Sequence, residues 1–111
     1  MSDLKVIVLT VRYGDDTDIF YLIKKGDESV LLERILSDTD SESVAISADI
    51  ELEFLLKKKD LKKLREVLEV EYGPDVEFSI EEFEGPKARL LVQKLAELGK
   101  LEAELWRFLK D

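Results

Sequence analysis

The chain reads as an α/β (α+β mixed) protein with a single mixed four-stranded sheet, and three observations predict this. β-branched runs alternate with stretches of helical spacing, turn residues punctuate almost every junction, and no composition shift or linker divides the 111 residues. A chain of this length sits near the commonest domain size, so residues 1–111 are expected to fold around one core.

The elements follow in order. Leu4 to Tyr13 is rich in Val and Ile and predicts a strand. Gly14-Asp15-Asp16-Thr17 is turn material, and Asp18 to Lys25 predicts the second strand of a hairpin. Ile7, Leu9 and Val11 alternate with Val6 and Val8, and Ile19, Tyr21 and Ile23 alternate with Phe20 and Leu22. Both strands are therefore apolar on two faces, as strands covered on both sides are. Gly26 allows a turn and Asp27 is placed to cap a helix over Glu28 to Ser37, with Val30, Leu31 and Ile35 on its apolar face. A polar loop, residues 38–42, leads to alternation from Val44 through Ile46, Ala48, Ile50 and Leu52 to Phe54, which predicts a half-buried strand.

Asp60 is placed to cap a second helix, whose Leu61, Leu64, Val67 and Leu68 keep helical spacing until Gly73-Pro74 stops it. Val76 to Phe83 predicts a strand, with Val76, Phe78 and Ile80 inward and a slip at Glu81-Glu82 that reads as a bulge or an end. Gly85-Pro86 opens the last helix, with proline at its favoured first position. Gly99 is read as a break, giving a short final helix over Leu101 to Lys110. The predicted order is β-β-α-β-α-β-α with a possible extra C-terminal helix, and strand–helix–strand steps imply parallel crossovers.

Composition narrows the chemistry. The chain has no histidine and no cysteine, and its one methionine is Met1. The side chains that most often supply acid–base work near neutrality, thiol attack and soft-metal ligation are missing. No catalytic residues, metal or cofactor are expected, and the chain is read as not an enzyme. A net charge of −9 disfavours nucleic acid and anionic membranes as partners. No apolar run approaches the roughly 20 residues of a membrane helix. The start of the chain lacks the pattern of a signal peptide, so a soluble, cytoplasmic setting is expected.

Tyr13-Gly14-Asp15-Asp16 resembles the Tyr-Gly-Asp-Asp hairpin of viral RNA-dependent polymerases, where the aspartates hold a divalent metal for phosphoryl transfer. The second metal-binding strand and basic nucleotide channel of those enzymes have no counterpart, and Gly and Asp here read as a turn. Asp15, Asp16 and Asp18, and separately Asp38, Asp40 and Glu42, raise the question of calcium or magnesium, but both sets read as solvated loops.

Three surfaces stand out. If the predicted strands are adjacent, Asp49, Glu51 and Glu53 lie beside Glu77 and Glu81 on one acidic sheet face. Such a face suits a small inhibitor that mimics nucleic acid and captures a basic nucleic-acid-processing protein; its plainer reading is a solvated surface. A basic run of Lys57, Lys58, Lys59, Lys62, Lys63 and Arg65 is placed near a helix start and reads as a solvated face. Val6, Val8, Phe20 and Leu22, with Trp106 on the last helix, are interface candidates if one hairpin face is left uncovered.

Gly26-Asp27, Tyr72-Gly73-Pro74-Asp75 and Gly85-Pro86 each use the residue their turn geometry asks for, and Leu, Lys and Glu fill the helices. In this the whole chain resembles computationally designed α/β proteins. The resemblance implies a non-catalytic fold scaffold or protein-binding module, monomer or homodimer, with no natural substrate and with no partner or a single protein target.

Overall fold

A computed structural model describes residues 3–36 and 43–110. Among them are five strands and four helices: β1 (Lys5–Tyr13), β2 (Asp16–Lys25), β3 (Glu28–Leu36), β4 (Ser43–Ile46), α1 (Ile50–Lys58), α2 (Leu61–Tyr72), β5 (Glu77–Glu84), α3 (Gly85–Gly99) and α4 (Glu102–Leu109). The strands form one sheet in the order β4-β3-β2-β1-β5, with every neighbouring pair antiparallel. The class is mixed α/β as expected. Among the described residues, however, the sheet has five strands rather than four, and no pair is parallel.

The two hairpins explain the difference. Gly14-Asp15 and Gly26-Asp27 each form a two-residue loop, closed by Tyr13 opposite Asp16 and by Lys25 opposite Glu28. Each glycine has positive φ (59° and 60°), and neither aspartate does, which is the type II′ pattern. Gly26-Asp27 is thus a hairpin turn and not a helix start. The predicted helix over Glu28 to Ser37 is instead β3, whose Val30 and Leu32 face one side and Leu31 the other.

The predicted strand from Val44 to Phe54 is corrected as well. Only its first residues are β4. Ser47 Oγ accepts from the Asp49 amide at 3.2 Å, and Asp49 Oδ1 accepts from the Leu52 amide at 3.0 Å, so α1 starts there. The helix buries Leu52, Leu55 and Leu56 and leaves Ile50 and Phe54 exposed. Downstream the agreement is closer. Asp60 caps α2 through the Lys63 amide, β5 follows, and α3 ends at Gly99 before α4. The slip at Glu81-Glu82 is no bulge, because the β1–β5 register runs unbroken from Lys5–Glu84 to Arg12–Glu77.

Helices cover both faces. On one, α1 and α2 place Leu52, Leu55, Leu56, Leu64 and Leu68 on Ile7, Leu9, Val11, Phe20, Leu22 and Leu31. On the other, α3 and α4 place Val92, Leu95, Leu105 and Phe108 on Val6, Tyr21, Ile23, Val30, Leu32 and Val44. This corrects the interface set drawn from the hairpin. Val6 lies opposite Ile23, so Val6 and Val8 share the α3/α4 face while Phe20 and Leu22 share the α1/α2 face. Val6, Phe20 and Leu22 are buried and Val8 is half-buried. Only Trp106, 62% exposed on α4, remains at the surface.

Candidate functional site: an open edge strand beside a groove

The sheet has two unlike edges. β4 is four residues long, whereas β5 is eight and, among the described residues, has no strand on its outer side. Residues flanking a two-residue hairpin loop exchange both backbone hydrogen bonds, and such pairs alternate along the ladder. With Tyr13 paired to Asp16 in this way, the odd residues of β1 bond to β2 and the even ones bond to β5. Glu77, Ser79, Glu81 and Phe83 therefore turn their amides inward. Phe78, Ile80 and Glu82 direct N–H and C=O outward, as free edge positions.

Their side chains lie on the α1/α2 face, where α2 stands off from β5. An open groove of about 730 Å³ runs between them, lined by Leu61, Lys62, Arg65, Glu66 and Glu69 from α2 and by Phe78, Ser79 and Ile80 from β5. The Arg65 guanidinium lies 4.9 Å from the centre of the Phe78 ring. Leu61 and Ile80 also line a smaller, mostly apolar pocket of about 170 Å³, together with Ile7, Leu55, Leu56 and Leu64. A Lys59–Glu82 ion pair of 2.7 Å stands at its rim and holds the Glu82 carboxyl below the usual carboxylate range.

A polar corner lies elsewhere on the same face. Asp18, on β2, is buried, and its Oδ2 accepts from the Tyr72 hydroxyl at 3.0 Å and the Tyr13 hydroxyl at 3.3 Å. The two rings are 4.6 Å apart at 46°. Burial first, then the hydrogen bond to Asp18 and its charge, raise the Tyr72 phenol above the ordinary range. Burial, then the same charge, raise Tyr13. Burial, with the charges of Asp18, Glu71 and Asp49, raises the half-buried Glu33. This corner ties the first hairpin to the end of α2. The sequence signal for it is an aspartate at the start of an apolar strand, which the sequence reading groups with Asp15 and Asp16 as solvated.

The acidic sheet face is not assembled. Asp49 caps α1, and Glu51 and Glu53 lie in its first turn, with Glu53 bonded to Lys57 at 3.2 Å. Glu77 and Glu81 alternate with Phe78 and Ile80, so they face the opposite side of the sheet. The basic run is dispersed too. Lys57 and Lys58 end α1, where they favour its dipole, Lys59 pairs with Glu82, and Lys62 and Arg65 line the groove. Asp15 and Asp16 are exposed while Asp18 is buried, and no set of three or more acidic side chains is placed to hold a metal ion among the described residues. Asp38, Asp40 and Glu42 lie outside the described residues.

Comparison with known proteins finds no matching family model, no matching curated protein and no matching solved structure. Among the described residues no helix is long and apolar enough to cross a membrane.

Proposed function

We propose that this chain is a non-catalytic protein-binding module that captures an extended segment along β5. One observation carries the reading: the residues whose backbone groups face outward, Phe78, Ile80 and Glu82, are also those whose side chains border the two cavities. An added strand gains main-chain hydrogen bonds from the edge and places alternate side chains below α2, which is how strand-addition domains combine affinity with selectivity. In the scaffold reading of a designed protein the same edge binds nothing.

A display selection with random ten-residue peptides on the immobilised chain separates the two. The expected result is enrichment of peptides that fail to bind Glu82→Pro, where proline removes an outward N–H without touching the β1 ladder. Absence of enrichment, or enrichment indifferent to that substitution, removes the reading.

A further inference from the structure

We infer that the segment received by β5 is an alternating apolar and basic strand, a deepening that rests on the binding reading above. The two sides of the β5 edge ask for different chemistry. On the α1/α2 side an incoming strand meets Phe78, Ile80 and Leu61, with Leu61 55% exposed. The charged side chains on that wall, Lys62 and Arg65 with Glu66 and Glu69, balance in sign, so its apolar side chains set what enters the groove. On the other side it meets Glu77, Ser79 and Glu81, all exposed.

Register sharpens the match. If the incoming strand is antiparallel, its bonded pairs fall at Phe78, Ile80 and Glu82. Glu77 and Glu81 then occupy the non-hydrogen-bonded positions, where opposed side chains come closest. A lysine or arginine opposite each of them forms a favourable cross-strand pair. Apolar side chains fill the groove and basic ones face the glutamates, so the alternation is set by the pleat itself.

Charge also decides against the obvious competitor, a second copy. Two chains each carrying −9 repel, and antiparallel pairing of β5 with itself brings the Glu77, Glu81 and Glu82 side chains of both copies to one seam. A basic strand meets the opposite sign at the same positions.

The test uses three synthetic peptides on the full chain: Thr-Val-Lys-Val-Thr-Val-Lys-Val-Thr, whose lysines are four apart as Glu77 and Glu81 are, its counterpart with glutamate for lysine, and the lysine peptide rearranged into Lys-Lys and Val-Val-Val-Val blocks. Amide exchange at Phe78, Ile80 and Glu82 reports edge occupancy, and titration gives affinity. The alternating lysine peptide is expected to protect those amides and to bind about tenfold tighter than the glutamate peptide at low salt. That protection is expected to vanish in Glu82→Pro and persist in Glu82→Ala, which lacks the Lys59 pair but keeps the N–H. Equal protection by the glutamate or block peptide overturns the partner class while leaving the edge reading intact. Failure of the lysine peptide to protect the edge overturns the partner class too, and the display selection then decides the edge reading by itself. Protection without any peptide, growing with protein concentration as the mass doubles, overturns the inference in favour of a second copy.

Discussion

The two faces of the sheet are fed by alternate residues of the same strands, yet they are closed differently. The α3/α4 face is sealed by Ala88, Val92, Leu95, Ala96, Leu105, Phe108 and Leu109. The small residues let α3 lie close to the sheet, and at Gly99 an added Cβ would stand 2.9 Å from the Val44 carbonyl oxygen. The α1/α2 face has leucines only on the inner side of its helices. Over β5, α2 turns Lys62, Arg65, Glu66 and Glu69, and the result is a groove. One face spends its helices on stability, and the other retains an edge and a cavity. Over β1, β2 and β3 both faces are apolar, so there the side chains of the helices make the difference. β5, by contrast, turns exposed Glu77, Ser79 and Glu81 to the α3/α4 side and Phe78 and Ile80 to the groove.

The largest expected effect tests the sealed face. Phe108 is fully buried, so Phe108→Ala is expected to destabilise by about 3–5 kcal/mol in urea unfolding. Leu61→Ala, on the groove wall, is expected to stay within about 0.5 kcal/mol of the parent. Similar costs at the two positions would break the contrast, since they would make the groove part of the core.

The polar corner comes next. Tyr72→Phe keeps the ring contact with Tyr13 but removes the shorter hydroxyl bond to buried Asp18, and is expected to cost about 1–3 kcal/mol. Both phenols are raised in the fold above their ordinary value of 10.0. Their contribution is therefore complete below that value and lost as pH rises through the raised ones. The penalty of Tyr72→Phe, measured by urea unfolding, is accordingly expected to shrink in strong alkali. A penalty that is absent, or independent of pH there, would show that the corner does not tie α2 to the hairpin.

Gly99→Ala sharpens the same comparison from the side of close packing. Alanine gains about 1 kcal/mol of helix propensity, but overpacking costs about 1–3 kcal/mol, so a net loss near 1 kcal/mol is expected. The oxygen it meets is backbone and cannot step aside, although the Leu101 side chain can. A stabilised variant by thermal melting would mean that α3 sits farther from β4 than this contact requires.

How much of this was legible depends on which signals were local. α2 followed from its cap, its leucine spacing and the Gly73-Pro74 stop, β5 from its alternation, and the break from Gly99. β3 did not, because Gly-Asp serves equally as a two-residue hairpin loop and as a helix start, and a doubly covered central strand lacks alternation. Val44 to Phe54 misled for a related reason. Residues 50 and 54 share a helix face and also satisfy a period of two, so the cap at Asp49 was the better evidence. The surfaces were least legible. Misassigning that segment placed Glu51 and Glu53 beside Glu77 and Glu81, and the groove needs the edge position of β5, which no local pattern carries.

The smallest effect concerns Glu33, on the α1/α2 face of β3. Burial, with the charges of Asp18, Glu71 and Asp49, raises its carboxyl above the ordinary 4.5. A raised carboxylate favours the folded state only while it is protonated. Below pH 4.5 both states hold the proton and nothing is lost, whereas above the raised value the ionised group opposes folding. Glu33→Gln removes the charge with little change of shape. It is expected to raise the urea midpoint slightly at neutral pH, with the gain fading to nothing as pH falls below the ordinary carboxylate range. A gain that persists in acid would trace to packing instead, and a loss at neutral pH would show that Glu33 accepts a hydrogen bond the fold relies on. Either outcome would mark the acidic corner as rigid structure. The expected one marks it as a place where this face keeps charge at some cost in stability, in contrast to the wholly apolar seal of α3 and α4.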